Sequence, residues 1–468
     1  MRGASTSRLG VQVASTRQFT RQDSDRPTRR SAPEAAAERT IRLLEAVAPT
    51  PRSFDVRLWN GRVLAGDGAR DGSLARDGAG DAPRPTLVLN DPHALGRALT
   101  PPLDLSAGEA YVVGEIDVEG DLETLLAAFD ELLDSGRRTL LTTRLRALGD
   151  LTVLKRGAAR ADEGAAARLD GRTHSRERDA CAIRHHYDLP VDFYRLWLDR
   201  HLTYSCGYFP TGEESLDEAQ EAKLEHVCRK LRLRPGLRLL DIGCGWGSLL
   251  RWAARHHGTE TVGVTLAKKQ AAEANVRLAA DGLAQRATAE VRHYRDLRGR
   301  FDRIASIGMS EHVGRAQLES YFRAAWERLT PGGSMLNHAI SRGPLGTQPD
   351  PSVPDSFIQR YVFPDGEIVD LAETIRAAEA VGFEVRDVED LREHYATTLR
   401  HWVVRLEAHW DEAVAIAGGA RARVWRLFMA ASAHQFARGR LAVHQVLLGR
   451  PDGDGRVHLP ASRADLYT

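Results

Sequence analysis

Net charge is almost missing from this chain. Its 65 Lys and Arg residues are matched by 64 Asp and Glu over 468 positions, so no overall field draws it onto nucleic acid, and any attraction to an anionic surface has to be local. Long apolar runs are missing too. None reaches the roughly 18 residues that a membrane-spanning helix needs, and the Arg- and Ser-rich N-terminus lacks the apolar core of a secretory signal. Together these absences predict a cytoplasmic protein. Cysteine is scarce: Cys181, Cys206, Cys228 and Cys244 show neither Cys-x-x-Cys spacing nor zinc-type spacing to histidine. That argues against structural zinc and suits reduced thiols, so no metal site is expected.

A further absence is local and more telling. Leu239-Leu240-Asp241-Ile242-Gly243-Cys244-Gly245-Trp246-Gly247 reads as a buried strand, a glycine turn and a helix beginning at Trp246. Ser248 stands where a dinucleotide fingerprint requires its third glycine. Gly247 instead completes an acidic-x-Gly-x-Gly-x-Gly run headed by Asp241, which resembles the class I S-adenosylmethionine (SAM) methyltransferases. In such a site the strand-end carboxylate meets the positive amino acid end of SAM, directly or through water.

The chain divides into four regions. Residues 1–38 are rich in Arg, Ser, Thr and Ala with almost no aromatic content, which predicts a disordered basic arm. Residues 39–135 suit a small α+β domain. A short helix begins near Thr40, Phe54, Val56 and Leu58 alternate before the hairpin turn Asn60-Gly61, residues 66–84 read as a loop, residues 86–90 and 110–118 as strands, and 122–133 as a helix. Residues 136–179 look like a helix and a linker. Residues 180–468 hold every cysteine and most aromatics. There, strands over 261–265, 289–293, 303–308 and 334–340 alternate with helices over 268–280 and 317–329 in the manner of a Rossmann-like doubly wound α/β sheet. A ligand then belongs along the carboxyl ends of the strands. Gln270, close to Thr265, is the polar group there that can serve the ribose.

Five motifs sharpen the reading. His186-Tyr187-Asp188, Thr203-Tyr204-Ser205-Cys206-Gly207-Tyr208-Phe209, the glycine run itself, Gly263-Val264-Thr265-Leu266 followed by Gln270, and Ser306-Ile307-Gly308-Met309-Ser310-Glu311-His312-Val313-Gly314 occur in that order. They resemble the cyclopropane-fatty-acyl-phospholipid synthase family. Gly114-Glu115-Ile116-Asp117-Val118-Glu119-Gly120-Asp121 resembles the accessory lipid-binding domain of its long bacterial members.

The resemblance implies a class I SAM-dependent methyltransferase acting on an unsaturated phospholipid at the inner face of the membrane, through peripheral contact and as a possible homodimer. It implies SAM contacts at Tyr204, Ser205, Asp241, Gly243, Gly245, Trp246, Gly247, Thr265, Leu266, Gln270, Tyr294 and Arg295. It also implies a bicarbonate ion held around Cys206, Glu311, His338 and Tyr395, the last matched through His394-Tyr395-Ala396-Thr397-Thr398-Leu399. Methyl transfer to a cis double bond leaves a carbocation on the acyl chain, and loss of a proton from the new methyl closes the ring. Rings such as Tyr187 and Tyr208 suit the stabilisation of cations. His312 reads as structural, and Tyr361 as packing before acyl channel. One position departs from the family: Ser432 stands where its members usually carry a second cysteine. Two sister outcomes stay open, a cyclopropane or a methylene-branched chain, with a small-molecule N-methyltransferase as a third reading.

Overall fold

The computed structural model describes residues 32–67, 84–136, 166–167, 169–172, 174–187, 189–346 and 356–466. Most of the basic arm, of the 66–84 loop and of the 136–179 linker lies outside the described residues. The first helix, Ala32–Val47, begins inside the stretch assigned to the arm. Beside it lies a four-stranded sheet in the order β2-β1-β3-β4, built from β1 (Asp55–Leu58), β2 (Val63–Leu64), β3 (Thr86–Leu89) and β4 (Ile116–Glu119). Asn60-Gly61 makes the β1–β2 hairpin, with Gly61 at φ +83°. One expectation fails: the apolar run Ala110-Tyr111-Val112 ends the helix Leu103–Val112 instead of opening a strand. Gly114 at φ +79° reverses the chain, and only Ile116 onward pairs with β3.

The larger sheet has seven strands in the order β10-β11-β9-β8-β5-β6-β7. In chain order these are β5 (Arg238–Ile242), β6 (Glu260–Thr265), β7 (Ala287–Val291), β8 (Phe301–Ile307), β9 (Leu329–Arg342), β10 (Glu384–Asp390) and β11 (Leu441–Gly449). β5 to β9 run parallel, whereas β11 is antiparallel to both β9 and β10. The alternation read from the sequence stops at β9. β10 and β11 complete the sheet, and β11 sets Gln445 opposite His338. Because the chain leaves β5 toward β6 on one side and returns to β8 on the other, the order switches direction there, which opens a crevice above the carboxyl ends of the strands.

The helix Gly419–Ala437 joins the two sheets' units. Arg423 Nε donates to the Tyr111 carbonyl at 2.8 Å, Arg426 Nη1 to the Tyr111 hydroxyl at 2.8 Å, and His434 Nε2 meets Asp130 at 2.5 Å. Arg400 forms a two-point pair with Glu123 at 2.8 and 2.7 Å. Tyr361 lies at this seam, its hydroxyl bonded to Glu109 at 3.0 Å. It is a packing residue.

Candidate active site

β5 carries Asp241 near its carboxyl end, and the chain then turns through glycines. At Gly245, φ +51°, an added Cβ would meet nothing within 4 Å, so the missing side chain is open room above the strand. At Gly247, φ +80°, it would lie 2.9 Å from the Ala274 Cβ. Gly247 caps the helix Ser248–His256 and packs it against its neighbour; it does not line the cleft, and the helix starts two residues later than the sequence suggests.

The cleft over these strand ends spans about 1040 Å³, the open solvent at its mouth included. Asp241, Gly243, Gly245 and Trp246 line it from the turn, Thr265, Leu266 and Gln270 from the end of β6, Tyr294 from beyond β7, and Tyr204 and Ser205 from the preceding loop. Thr265 Oγ1 and Gln270 Oε1 lie 3.1 Å apart. Burial raises the Asp241 carboxyl to about 7, against a lowering influence of Lys223. Arg295 departs from expectation: its guanidinium stacks 5.1 Å from the Tyr294 ring and lies 3.8 Å from Asp179, outside the cleft wall. It braces Tyr294. The wall also includes Asp179, Lys223, Arg292 and His293, none of which the motifs reveal.

A second cavity, about 930 Å³ with the open solvent at its mouth included, adjoins the first, and Tyr187, Tyr204, Ser205, Gly308 and His312 line both. Its walls are largely apolar, with Ile340, Phe363, Leu399, Phe428 and Phe436 among them. Glu311, His338, Tyr395 and Ser432 are the polar side chains among its lining residues that the sequence singled out. Glu311 sits in the short turn Ser310–His312, and instead of capping a helix its Oε1 accepts from the Ile340 backbone N–H at 2.7 Å. Its Oε2 is buried without a partner, and burial raises the carboxyl to about 7. His338 Nδ1 lies 3.3 Å from Gln445 Nε2, and His338 Nε2 is buried without a partner. Burial, with help from the nearby lysines, lowers His338 to about 3, so the ring is neutral. Tyr395 packs against Phe436 with ring centroids 4.7 Å apart.

Three residues sit otherwise than expected. The Cys206 thiol is turned into the wall, 3.1 Å from the Gly207 carbonyl and 3.7 Å from that of Leu391, and lines neither cavity. Burial pushes that thiol far up, which keeps it protonated. Tyr208 stacks on His226, centroids 4.4 Å apart, away from both cavities. His312 lines both cavities, and burial lowers it to about 4, so it is neutral.

Residues 174–446 match the family described as mycolic acid cyclopropane synthetase. The chain belongs to this cyclopropane synthase family. It is 38% identical over 390 residues to a probable fatty acid methyltransferase of Pseudomonas putida, covering 83% of this chain and 93% of that protein. It is 35% identical over 276 residues to the cyclopropane-fatty-acyl-phospholipid synthase of Escherichia coli K12, covering 59% and 69%. Among solved structures it resembles mycolic acid cyclopropane synthase CmaA1 complexed with SAH and CTAB, at 33% identity and a TM-score of 0.54, over 57% of this chain and 97% of that one. As a cyclopropane synthase family member this chain is a SAM-dependent methyltransferase with the class I fold. The room over Gly245 and the buried Asp241 carboxylate fit the methyl donor.

Proposed function

We propose that this protein transfers a methyl carbon from SAM to the cis double bond of an unsaturated phospholipid acyl chain and yields a cyclopropane. One observation carries the reading: Glu311 Oε2 and His338 Nε2 are buried without partners in an apolar cavity that shares a wall with the SAM cleft. Unpaired polar atoms in such surroundings cost about 1–3 kcal/mol each unless a ligand satisfies them. The apolar walls suit an acyl chain, and the two atoms with the Tyr395 hydroxyl suit a small oxyanion. Bicarbonate bound there would supply a base that resists alkylation. Glu311 would accept from its hydroxyl, while His338 and Tyr395 would donate to its oxygens. Tyr187, at the junction of the cavities, brings an aromatic ring near where cationic charge would form. The acyl chain would come from a membrane surface beside the half-exposed Ile358, which lines the cavity.

Gln445 is the partner of His338 within the sheet. Its amide Nε2 lies 3.3 Å from Nδ1 and, donating there, would leave the ring proton on Nε2, the atom buried without a partner. Gln445→Leu is expected to lower turnover roughly 10-fold, the worth of one hydrogen bond of about 1–1.5 kcal/mol, with SAM affinity unchanged. Single-turnover kinetics beside calorimetry check it; unaltered turnover would remove Gln445 from the site's workings.

A sister outcome has its own support. The relatives from Pseudomonas putida and Mycobacterium tuberculosis that align with 83% and 84% of this chain are both named probable fatty acid methyltransferases, and Ser432 faces the cavity where family members usually carry cysteine. The test is incubation with SAM, bicarbonate and vesicles of unsaturated phospholipid, followed by proton NMR of the released fatty acid. Upfield ring protons are expected. Exocyclic olefin signals would select the methylene-branched product, and no modified lipid would overturn both readings.

A further inference from the structure

Lys223 is the least expected wall of the SAM cleft. It lies on the helix Leu216–Lys230, is 1% exposed, and is among the residues that line the cleft. Nζ donates to Ser205 Oγ at 2.9 Å, and among the described residues no carboxylate forms an ion pair with it. A buried ammonium with donors to spare is costly unless an anion meets it. Asp199 and Asp241 act on it only through space. Asp199 is already committed, accepting from the backbone N–H groups of His201 at 2.8 Å and Thr203 at 2.7 Å.

Position says which anion. The sulfonium of the donor has to lie where the two cavities meet, because its methyl must face the acceptor. Ser205 is part of that junction, and Lys223 stands directly behind it. The amino acid tail extends from the sulfonium, so its ammonium and carboxylate fall at this end of the cleft. Asp241 is the carboxylate here and Lys223 the cation. Arg292, the other Lys or Arg among the described lining residues, sits at the nucleoside end: its backbone N–H donates to the Thr265 carbonyl at 3.1 Å and its side chain pairs with Glu290 at 2.9 Å.

We infer that Lys223 and Ser205 together form the receptor for the carboxylate of SAM. Because the ammonium occupies a lone pair of Ser205 Oγ, the serine hydrogen is directed away from Lys223 and is free to donate to the carboxylate. The positive charge behind it makes that a charge-assisted bond. Asp241 takes the α-ammonium, and the two ends of the zwitterion are told apart by a pair of opposite buried charges. This depends on SAM as donor and not on the lipid acceptor.

The test compares two ligands by calorimetry on the full chain without lipid: S-adenosylhomocysteine and its decarboxylated counterpart. The unmodified protein should bind the first more tightly by about 10- to 100-fold, the range for a hydrogen bond to a charged group. Lys223→Met should erase that margin, weakening S-adenosylhomocysteine to the level of the decarboxylated ligand while the latter binds as before. Ser205→Ala, a smaller change that leaves Lys223 in place, should shrink the margin as well and decides the matter if Lys223→Met fails to fold. Equal weakening of both ligands would assign Lys223 to the support of Asp241 alone and overturn the proposal, as would a margin that survives both substitutions or is absent from the unmodified protein.

Discussion

Replacing Glu311 by Gln is expected to cut turnover by about 10²- to 10⁴-fold, the range for a group engaged in acid–base work, while S-adenosylhomocysteine binds as before. The reason is geometric. A Gln carbonyl oxygen can keep the bond from the Ile340 N–H, 2.7 Å from Oε1 in the native residue. What changes is the atom facing the cavity, an acceptor turned into a donor beside the His338 Nε2–H donor. Two donors cannot hold the hydroxyl side of the same oxyanion. A pH profile adds a second readout. Burial raises the Glu311 carboxyl to about 7, so the ionised form that accepts a hydrogen bond gains with rising pH, and activity of the native enzyme should climb through about 7. Stability runs the other way. The folded state holds this proton more tightly than the unfolded chain, whose carboxyl sits near 4.5; the stabilisation is full below 4.5 and is lost as pH rises through about 7. Glu311→Gln has no charge to bury, so at pH 8 it should be the more stable protein by something on the order of 2–3 kcal/mol, with the difference vanishing near pH 4.5. Thermal denaturation at both pH values checks this. A variant that lost activity and stability together at pH 8 would mark Glu311 as a framework residue.

The cleft was legible in the sequence because its shape is set by backbone. A carboxylate at a strand end followed by glycines is a local pattern, and the structure turns Asp241, Gly243 and Gly245 into the cleft as that pattern implies. Side-chain direction is not local. Cys206 neighbours Ser205, yet its thiol turns toward Leu391, 185 residues away in sequence. Arg295 follows a cleft residue but stacks on its ring. Gln445 reaches His338 only because β11 enters the sheet antiparallel between β9 and β10, a placement no alternation of strand and helix predicts. Lys223 did leave a signal. Leu216, Ala219, Lys223, Val227 and Lys230 recur every three or four residues on the buried stripe of their helix, and a lysine on an apolar stripe has to find a partner. Lys230 finds Asp387 at 3.4 Å, together with Glu389. Among the described residues Lys223 has only Ser205. The Ala110-Tyr111-Val112 run misleads for a related reason: β-branched and aromatic residues suit a strand, but burial against the helix Gly419–Ala437 suits them equally.

That same helix carries the second large effect. Arg426 is expected to be the strongest single tie between the N-terminal unit and the acceptor cavity. Its guanidinium is largely buried and donates to Glu407 Oε1 at 2.7 Å, the Tyr111 hydroxyl at 2.8 Å and the Gly120 carbonyl at 3.3 Å. Phe428, Ser432 and Phe436, further along the helix, line the cavity. Arg426→Met keeps most of the volume and removes all three bonds. Breaking a buried charged contact from one side costs about 3–5 kcal/mol when the other charge is stranded. Here Glu407 is 39% exposed and can be rehydrated, so a loss nearer 2–3 kcal/mol is expected. Urea denaturation measures it, and a double-mutant cycle with Tyr111→Phe should return a coupling of about 1 kcal/mol for the hydroxyl contact. The functional consequence follows from the shared helix: KM for the lipid acceptor should rise while S-adenosylhomocysteine affinity holds, because the SAM cleft draws no wall from this helix. Stability within about 0.5 kcal/mol of the native protein, the ordinary range for a surface change, together with an unmoved KM, would mean that the N-terminal unit rests beside the cavity without shaping it.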